Sequence, residues 1–238
     1  MLFRWIYKDL NSWWATNFNP LVAIKENYLT QGDYNVIMMN WSAIAASDYV
    51  TAVASLGYVA IDLAKMVSML RREGVRDIHA IGFSLEAHVT EIAGYYLGKD
   101  TFNRITGLDP AKPFLMNVPL KDKLDATDAH FVDVYHTETI IEGKNEKCGH
   151  VDFYVNWGGI QPGCGSLNIV CSHLKAPIYF AESIISNIGF WGFPIDFLKL
   201  IQTRSPWILA GEYVDKNAFG SYYVGTNSHY PYAKGRSF

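Results

Sequence analysis

The sequence has no block of like charge: 20 Lys and Arg stand against 23 Asp and Glu, leaving a net charge of -3 over 238 residues. That balance offers neither a basic stripe for a nucleic-acid backbone nor a polybasic patch for an anionic membrane, so no nucleic-acid partner is expected. Also missing is any run of about eighteen uncharged apolar residues. The most apolar region, 176–201, is broken by Glu182 and Asp196, so no transmembrane segment is expected. The first residues, MLFRWIYKDLNSWW, lack the basic start, continuous apolar stretch and small-residue cleavage site of a signal peptide. Cysteine is scarce, at three residues. In an oxidising compartment Cys164 and Cys171, with six residues between them, would close a small loop worth about 2.5 kcal/mol on a chain-entropy account, leaving Cys148 without an obvious partner. In a reducing compartment all three would be free thiols. Their spacing matches no zinc site, and no metal or other cofactor is expected.

What the chain does have is apolar surface: half of its residues are hydrophobic and 15% are aromatic, enough to bury a large core in a single domain over 1–238. No repeat or low-complexity linker divides it. YNVIMM at 34–39 suits a buried strand. From Asp48 to Arg72 apolar residues recur at threes and fours, which predicts one helix capped by Asp48 and ended by Gly74. Strands at 77–83, 104–108 and 130–136 and a helix at 85–97 follow, and FGSYYVGTN alternates like an exposed antiparallel strand. Buried strands alternating with amphipathic helices predict an α/β fold, a mostly parallel sheet covered on both faces.

One stretch carries chemistry. In AIGFSLEAHV, residues 80–89, Ser84 falls between a predicted strand and a predicted helix. A sharp turn there strains the serine backbone, presents its hydroxyl at the carboxyl edge of the sheet and aims the Leu85 N–H at a developing oxyanion. A serine that merely caps the following helix is the plainer reading of the same letters. Candidate partners follow in the order serine, acid, histidine. Asp109 ends RITGLD and is stopped by Pro110, while His173 opens an apolar helical pattern after the short cysteine loop. Asp133 and Asp152 are fallback acids. His79 and His88 read as packing residues, His136 and His150 flank a loop, and His229 has no acid in register.

The motifs GFSLEAHV (82–89), GLDPAKPF (107–114), DAHFVDVYHT (128–137), GHVDFYVNWGGIQPGC (149–164), CSHLKAPIYFAESI (171–184) and GSYYVGTN (220–227) resemble the pancreatic-type lipase family, in its insect lipase and phospholipase A1 branch. The resemblance implies an α/β-hydrolase fold with Ser84 as nucleophile, Asp109 as acid, His173 as base, and Leu85 and Trp5 as oxyanion donors. It makes Gly165, Ser166, Leu167, Asn168, Ile169 and Val170 the counterpart of the lid, too short for two helical turns. Short lids accompany phospholipase A1 activity in the family. The implied substrate is therefore a phospholipid or acylglycerol at a lipid surface, in a secreted protein with no C-terminal lipid-binding domain. A lipase-like lipid-binding or yolk-type storage protein is the rival.

The departures from the family pattern fall near the chemistry. Glu86 stands where the turn's second glycine is expected, and it must either turn into solvent at the helix start or bury a carboxylate. Phe3-Arg4-Trp5 aligns with the family's H-G-W, where Arg4 cannot take glycine-only angles. A misdirected Trp5 N–H would cost about 3 kcal/mol in the transition state. The resemblance also implies that the chain lacks its amino-terminal strands. Either 34–39 pairs directly with the serine strand, or the chain is part of a longer protein.

Overall fold

The computed structural model describes residues 2–4, 19–45, 48–98, 101–112, 124–166, 168–195 and 207–236. Nine strands form one mixed sheet: β1 (Leu2–Arg4), β2 (Met38–Asn40), β3 (His79–Phe83), β4 (Arg104–Leu108), β5 (Val132–His136), β6 (Val151–Val155), β7 (Phe190–Pro194), β8 (Ile208–Ala210) and β9 (Gly220–Val224). Their order across it is β2-β1-β3-β4-β5-β6-β9-β7-β8. Pairings from β2 through β6 to β9 are parallel, and β7 runs antiparallel to β9 and β8. The expected α/β-hydrolase architecture is therefore present as a mixed sheet with helices around it.

Side chains of β3 alternate between two cores. Ala80 joins a cluster with α4 (Leu56–Arg72) and α5 (Leu85–Leu97). Ile81 and Phe83 join another with α1 (Pro20–Gln31) and α6 (Ile169–Ile185). This period of two across strands sandwiched by helices buries both faces of the sheet. Among the described residues no helix is long and apolar enough to cross a membrane.

Four sequence expectations change. The helix over 48–72 is two: after the short α2 (Ser42–Ala45), Asp48 caps α3 (Tyr49–Ala54) by accepting from Thr51 N, and α4 starts at Leu56. At Ser55 the hydroxyl bonds back to Thr51 O at 2.8 Å, and its N–H is shared between Thr51 O and Ala52 O, which loosens the helical ladder. The strand over 34–39 is displaced to Met38–Asn40 and does not pair directly with β3. Instead β1 lies between them, matching Leu2 to Met38 on one side and to Ile81 on the other. Arg4 continues β1 opposite Asn40. Finally, the stretch read as an exposed antiparallel strand is β9, antiparallel to β7 as expected but parallel to β6 and inside the sheet, with Ser221, Tyr222 and Val224 buried. Its polar letters misled because Ser221 and Tyr222 are buried, Tyr222 in the core beside Phe153. Helix α1, capped by Asn19 with Pro20 in its first turn, and strands β6, β7 and β8 had no expectation attached to them.

Candidate active site

Ser84 follows β3 and precedes α5 with φ 58° and ψ -118°, a backbone conformation that a non-glycine residue rarely adopts. Three hydrogen bonds hold the turn: Ser84 N to Leu108 O (3.0 Å), Ala87 N to Ser84 O (3.3 Å) and Ala111 N to Ser84 O (3.2 Å). Gly82 makes the tight return possible, since a Cβ there would stand 2.4 Å from Glu86 O. Leu85 is the first residue of α5, where helix geometry leaves its N–H without an intrahelical acceptor.

Asp109 lies one residue past β4, also at positive φ (46°), with its N–H bonded to Tyr135 O at 2.8 Å. Its buried carboxylate accepts from Thr137 N (2.8 Å) and Glu138 N (3.1 and 3.2 Å). His173 Nδ1 meets Asp109 Oδ2 at 2.6 Å. The histidine ring, mostly buried in α6, rests against Phe83 with centroids 4.6 Å apart. The three residues singled out from sequence thus converge at the carboxyl edge of β3 and β4. Among the described residues the Ser84 hydroxyl makes no hydrogen bond to the His173 ring. Such bonds are often long in a ligand-free site and tighten with substrate.

Cys164 and Cys171 are disulfide-bonded. Within their loop Gly165 and Ser166 are exposed, Asn168 caps α6 by accepting from Cys171 N at 2.9 Å, and Ile169 and Val170 form the first helical turn. The helix expected to open at His173 therefore begins four residues earlier, because Asn168 supplies the cap. Leu167 and Trp5 lie outside the described residues.

Of the two ways open to Glu86, the structure takes burial. Its side chain is wholly enclosed, Oε1 accepts from the Trp41 indole at 3.0 Å, and Oε2 has no hydrogen-bond partner among the described residues. Burial raises its pKa to about 8, so at neutral pH it is a carboxylic acid rather than a carboxylate. Nothing in the spacing of the sequence tied Trp41 to Glu86.

The fallback acids are occupied elsewhere. Asp133 grips Arg104 through two 2.8 Å bonds at the opposite edge of the sheet, where Arg104 also meets Glu212 at 3.3 Å. Asp152 pairs with His136 Nε2 at 2.9 Å and accepts from Cys148 N. His88 packs behind the turn as expected, with Nε2 2.8 Å from Ala111 O. A cleft of about 1080 Å³ near Tyr28, His79, Arg104 and Glu212 opens at that opposite edge and includes none of the three convergent residues. The peptide donors of Thr137 and Glu138 went unnoticed in sequence, because backbone groups carry no letter of their own.

A serine on a strained strand-to-helix turn, at the carboxyl edge of the parallel part of a mixed sheet, with a histidine anchored to the enclosed aspartate after the next strand, defines the α/β-hydrolase fold class. The profile described as Lipase matches residues 3–203. Phospholipase A1 member A of Rattus norvegicus is 34% identical over 195 residues, covering 79% of this chain and 41% of that protein. Lipase member H-B of Xenopus laevis is 37% identical over 181 residues, 72% and 39% of the two chains. Pancreatic lipase-related protein 2 of Rattus norvegicus is 37% identical over 194 residues, 71% and 41%. The chain belongs to the lipase family. It spans about 40% of the length of these relatives.

Proposed function

We propose that the chain, as one domain over residues 1–238, hydrolyses carboxylic esters of glycerolipids, with sn-1 acyl esters of phospholipids as the preferred substrate. The observation that carries this is the 2.6 Å bond between His173 Nδ1 and Asp109 at the edge occupied by Ser84. In this reading His173 Nδ1–H donates to Asp109, which leaves Nε2 unprotonated. Nε2 takes the Ser84 proton as the serine oxygen attacks the ester carbonyl, and the oxyanion accepts from the Leu85 N–H. As the acyl-serine forms, the leaving alkoxide takes the proton back from Nε2. Water then repeats the cycle and frees the acid.

The short cysteine loop supports an open cleft and hence a phospholipid, since a few residues between two bonded cysteines cannot build a covering lid. The disulfide also fits a secreted protein. A second reading, a lipid-binding or storage protein without catalysis, is favoured by the enclosed Glu86 at the nucleophile turn. Labelling with a fluorophosphonate separates the two. The esterase reading expects covalent modification of the parent chain and none of Ser84→Ala, whereas an unlabelled but folded parent supports the binding protein.

A further inference from the structure

The first turn of α5 is held on three sides. Beneath it, the peptide linking Glu86 to Ala87 lies so close to Gly82 of β3 that no Cβ fits between them. Behind it, Ala111 N donates to Ser84 O at 3.2 Å, and His88 Nε2 lies 2.8 Å from Ala111 O. On the third side Glu86 Oε1 accepts the Trp41 indole N–H at 3.0 Å, from a residue 45 positions away in the chain. Trp41 directly follows β2, and both side chains are buried. This bond ties the helix that carries the Leu85 N–H to the strand beyond β1 in the sheet.

Stability does not account for the Glu86 carboxyl. Enclosed, and with Oε2 lacking a hydrogen-bond partner among the described residues, it carries a desolvation cost that a leucine would not incur. A buried polar group that weakens the fold calls for another role, and its place supplies one. Leu85, the residue before it, is wholly buried and carries the N–H that the proposed reaction gives to the oxyanion. The aim of that N–H depends on how the first helical turn is rotated about the strained Ser84, at φ 58°. The Glu86–Trp41 bond fixes this rotation from outside the helix. We infer that Glu86 is a positioning residue, which through Trp41 sets the Leu85 N–H towards the oxyanion. This deepens the esterase reading and rests on it for the oxyanion.

The arrangement serves the reaction in one protonation state. Burial holds the Glu86 proton up to about pH 8; once it is lost, a negative charge stands one residue from the donor that must meet an oxyanion. The buried face of α4, from Leu56 to Val67, adds only apolar side chains to the surrounding core. Other titratable groups lie around it: Tyr49, His88, Glu91 and Cys148 in that core, Asp128 and Lys144 at its margin. Asp109 and His173 stand on the Ser84 side. All of them are kept in Glu86→Gln, so a pH effect that this substitution removes belongs to Glu86.

Steady-state hydrolysis of a soluble short-chain ester tests it. Glu86→Leu and Trp41→Phe should each lower kcat roughly tenfold with KM little changed, and the double variant should lose no more than either. The melting temperature of Glu86→Leu should hold or rise, which separates aim from stability. Glu86→Gln keeps an acceptor for the indole and should stay within about threefold of the parent at pH 7. Between pH 7 and 9.5 the parent's kcat should fall roughly tenfold while that of Glu86→Gln stays level. A second readout needs no turnover. In ¹⁵N–¹H spectra the Trp41 indole and Leu85 amide signals should shift together between pH 7 and 9, and neither should shift in Glu86→Gln. Trp41→Phe and these spectra carry the test if Glu86→Leu does not fold. The inference is overturned if the single variants keep kcat within about twofold, if their losses multiply in the double variant, or if the Leu85 signal does not titrate. A parent that resists fluorophosphonate yet shows the joint shift keeps this coupling and loses the esterase reading; a labelled parent whose Leu85 signal stays still does the opposite.

Discussion

One carboxylate oxygen of Asp109 meets His173 Nδ1 at 2.6 Å, while the other accepts the Thr137 N–H at 2.8 Å. The acid is thus held from two sides, by a helix and by the loop after β5. Asp109→Asn preserves the shape but presents an amide that no longer fixes the ring's tautomer. For an active esterase, kcat on a soluble short-chain ester should drop by roughly 10³ to 10⁴ with KM little changed. A variant within tenfold of the parent would remove Asp109 from the mechanism.

Glu86 gives the chain a signature in pH. Folded, its carboxyl holds a proton up to about 8; unfolded, only to about 4.5. Between those values the folded state binds one proton more, so this group's contribution is fully present below 4.5 and is lost as pH rises towards 8. The loss runs at about 1.4 kcal/mol per pH unit and levels off above the folded value. Glu86→Gln keeps an oxygen for the Trp41 indole and abolishes the titration. Urea unfolding should find the two proteins similar at acid pH and the glutamine variant more stable at pH 8. Parallel stability profiles would contradict an enclosed, protonated Glu86.

The Arg104–Asp133 pair at the other edge of the sheet has no part in the proposed chemistry, and its removal should register in stability alone. Asp133→Ala leaves a buried guanidinium with Glu212 as its remaining carboxylate among the described residues, beside the carbonyls of Gly211 and Glu212, and should cost about 3 to 5 kcal/mol in denaturant titration. Arg104 already gains from both acids, which raise its pKa against the effect of burial. A loss below about 1 kcal/mol would mean that water reaches this pair.

Opening the Cys164–Cys171 loop by a double serine substitution should lower unfolding free energy by about 2.5 kcal/mol at most, the entropy of so short a closure. Asn168 still caps α6 in that variant, so far-ultraviolet helicity should survive. Loss of helical signal together with stability would show that the disulfide, rather than the cap, starts the helix.

The letters that were legible are those whose physics is local. The helix at 85–97 and the strand at 104–108 coincide with the observed elements, because Gly98 and Pro110 terminate them and their apolar residues keep one period. Ser84 and Asp109 could be paired from sequence because the neighbouring parallel strands β3 and β4 end at one edge, whereas His173 reaches that edge from α6. Most of what stayed hidden depends on partners distant in sequence: the place of β9 is set by β6 and β7, and the environment of Glu86 by Trp41. The start of α6 is local, an asparagine cap inside the short cysteine loop. Arg4 was expected at a glycine-only bend, yet its backbone lies in β1.

Among the described residues the sheet is unevenly zipped. Strands β3, β4, β5 and β6 are joined by several matched positions at each step, whereas among the described residues β1 meets β3 at one matched position, Leu2 with Ile81. Loosening that position would loosen β1 and β2 without disturbing the ladder that carries Ser84 and Asp109. Amide exchange at Met38 to Asn40 should therefore run orders of magnitude ahead of exchange in β4 and β5, as a separate cooperative unit.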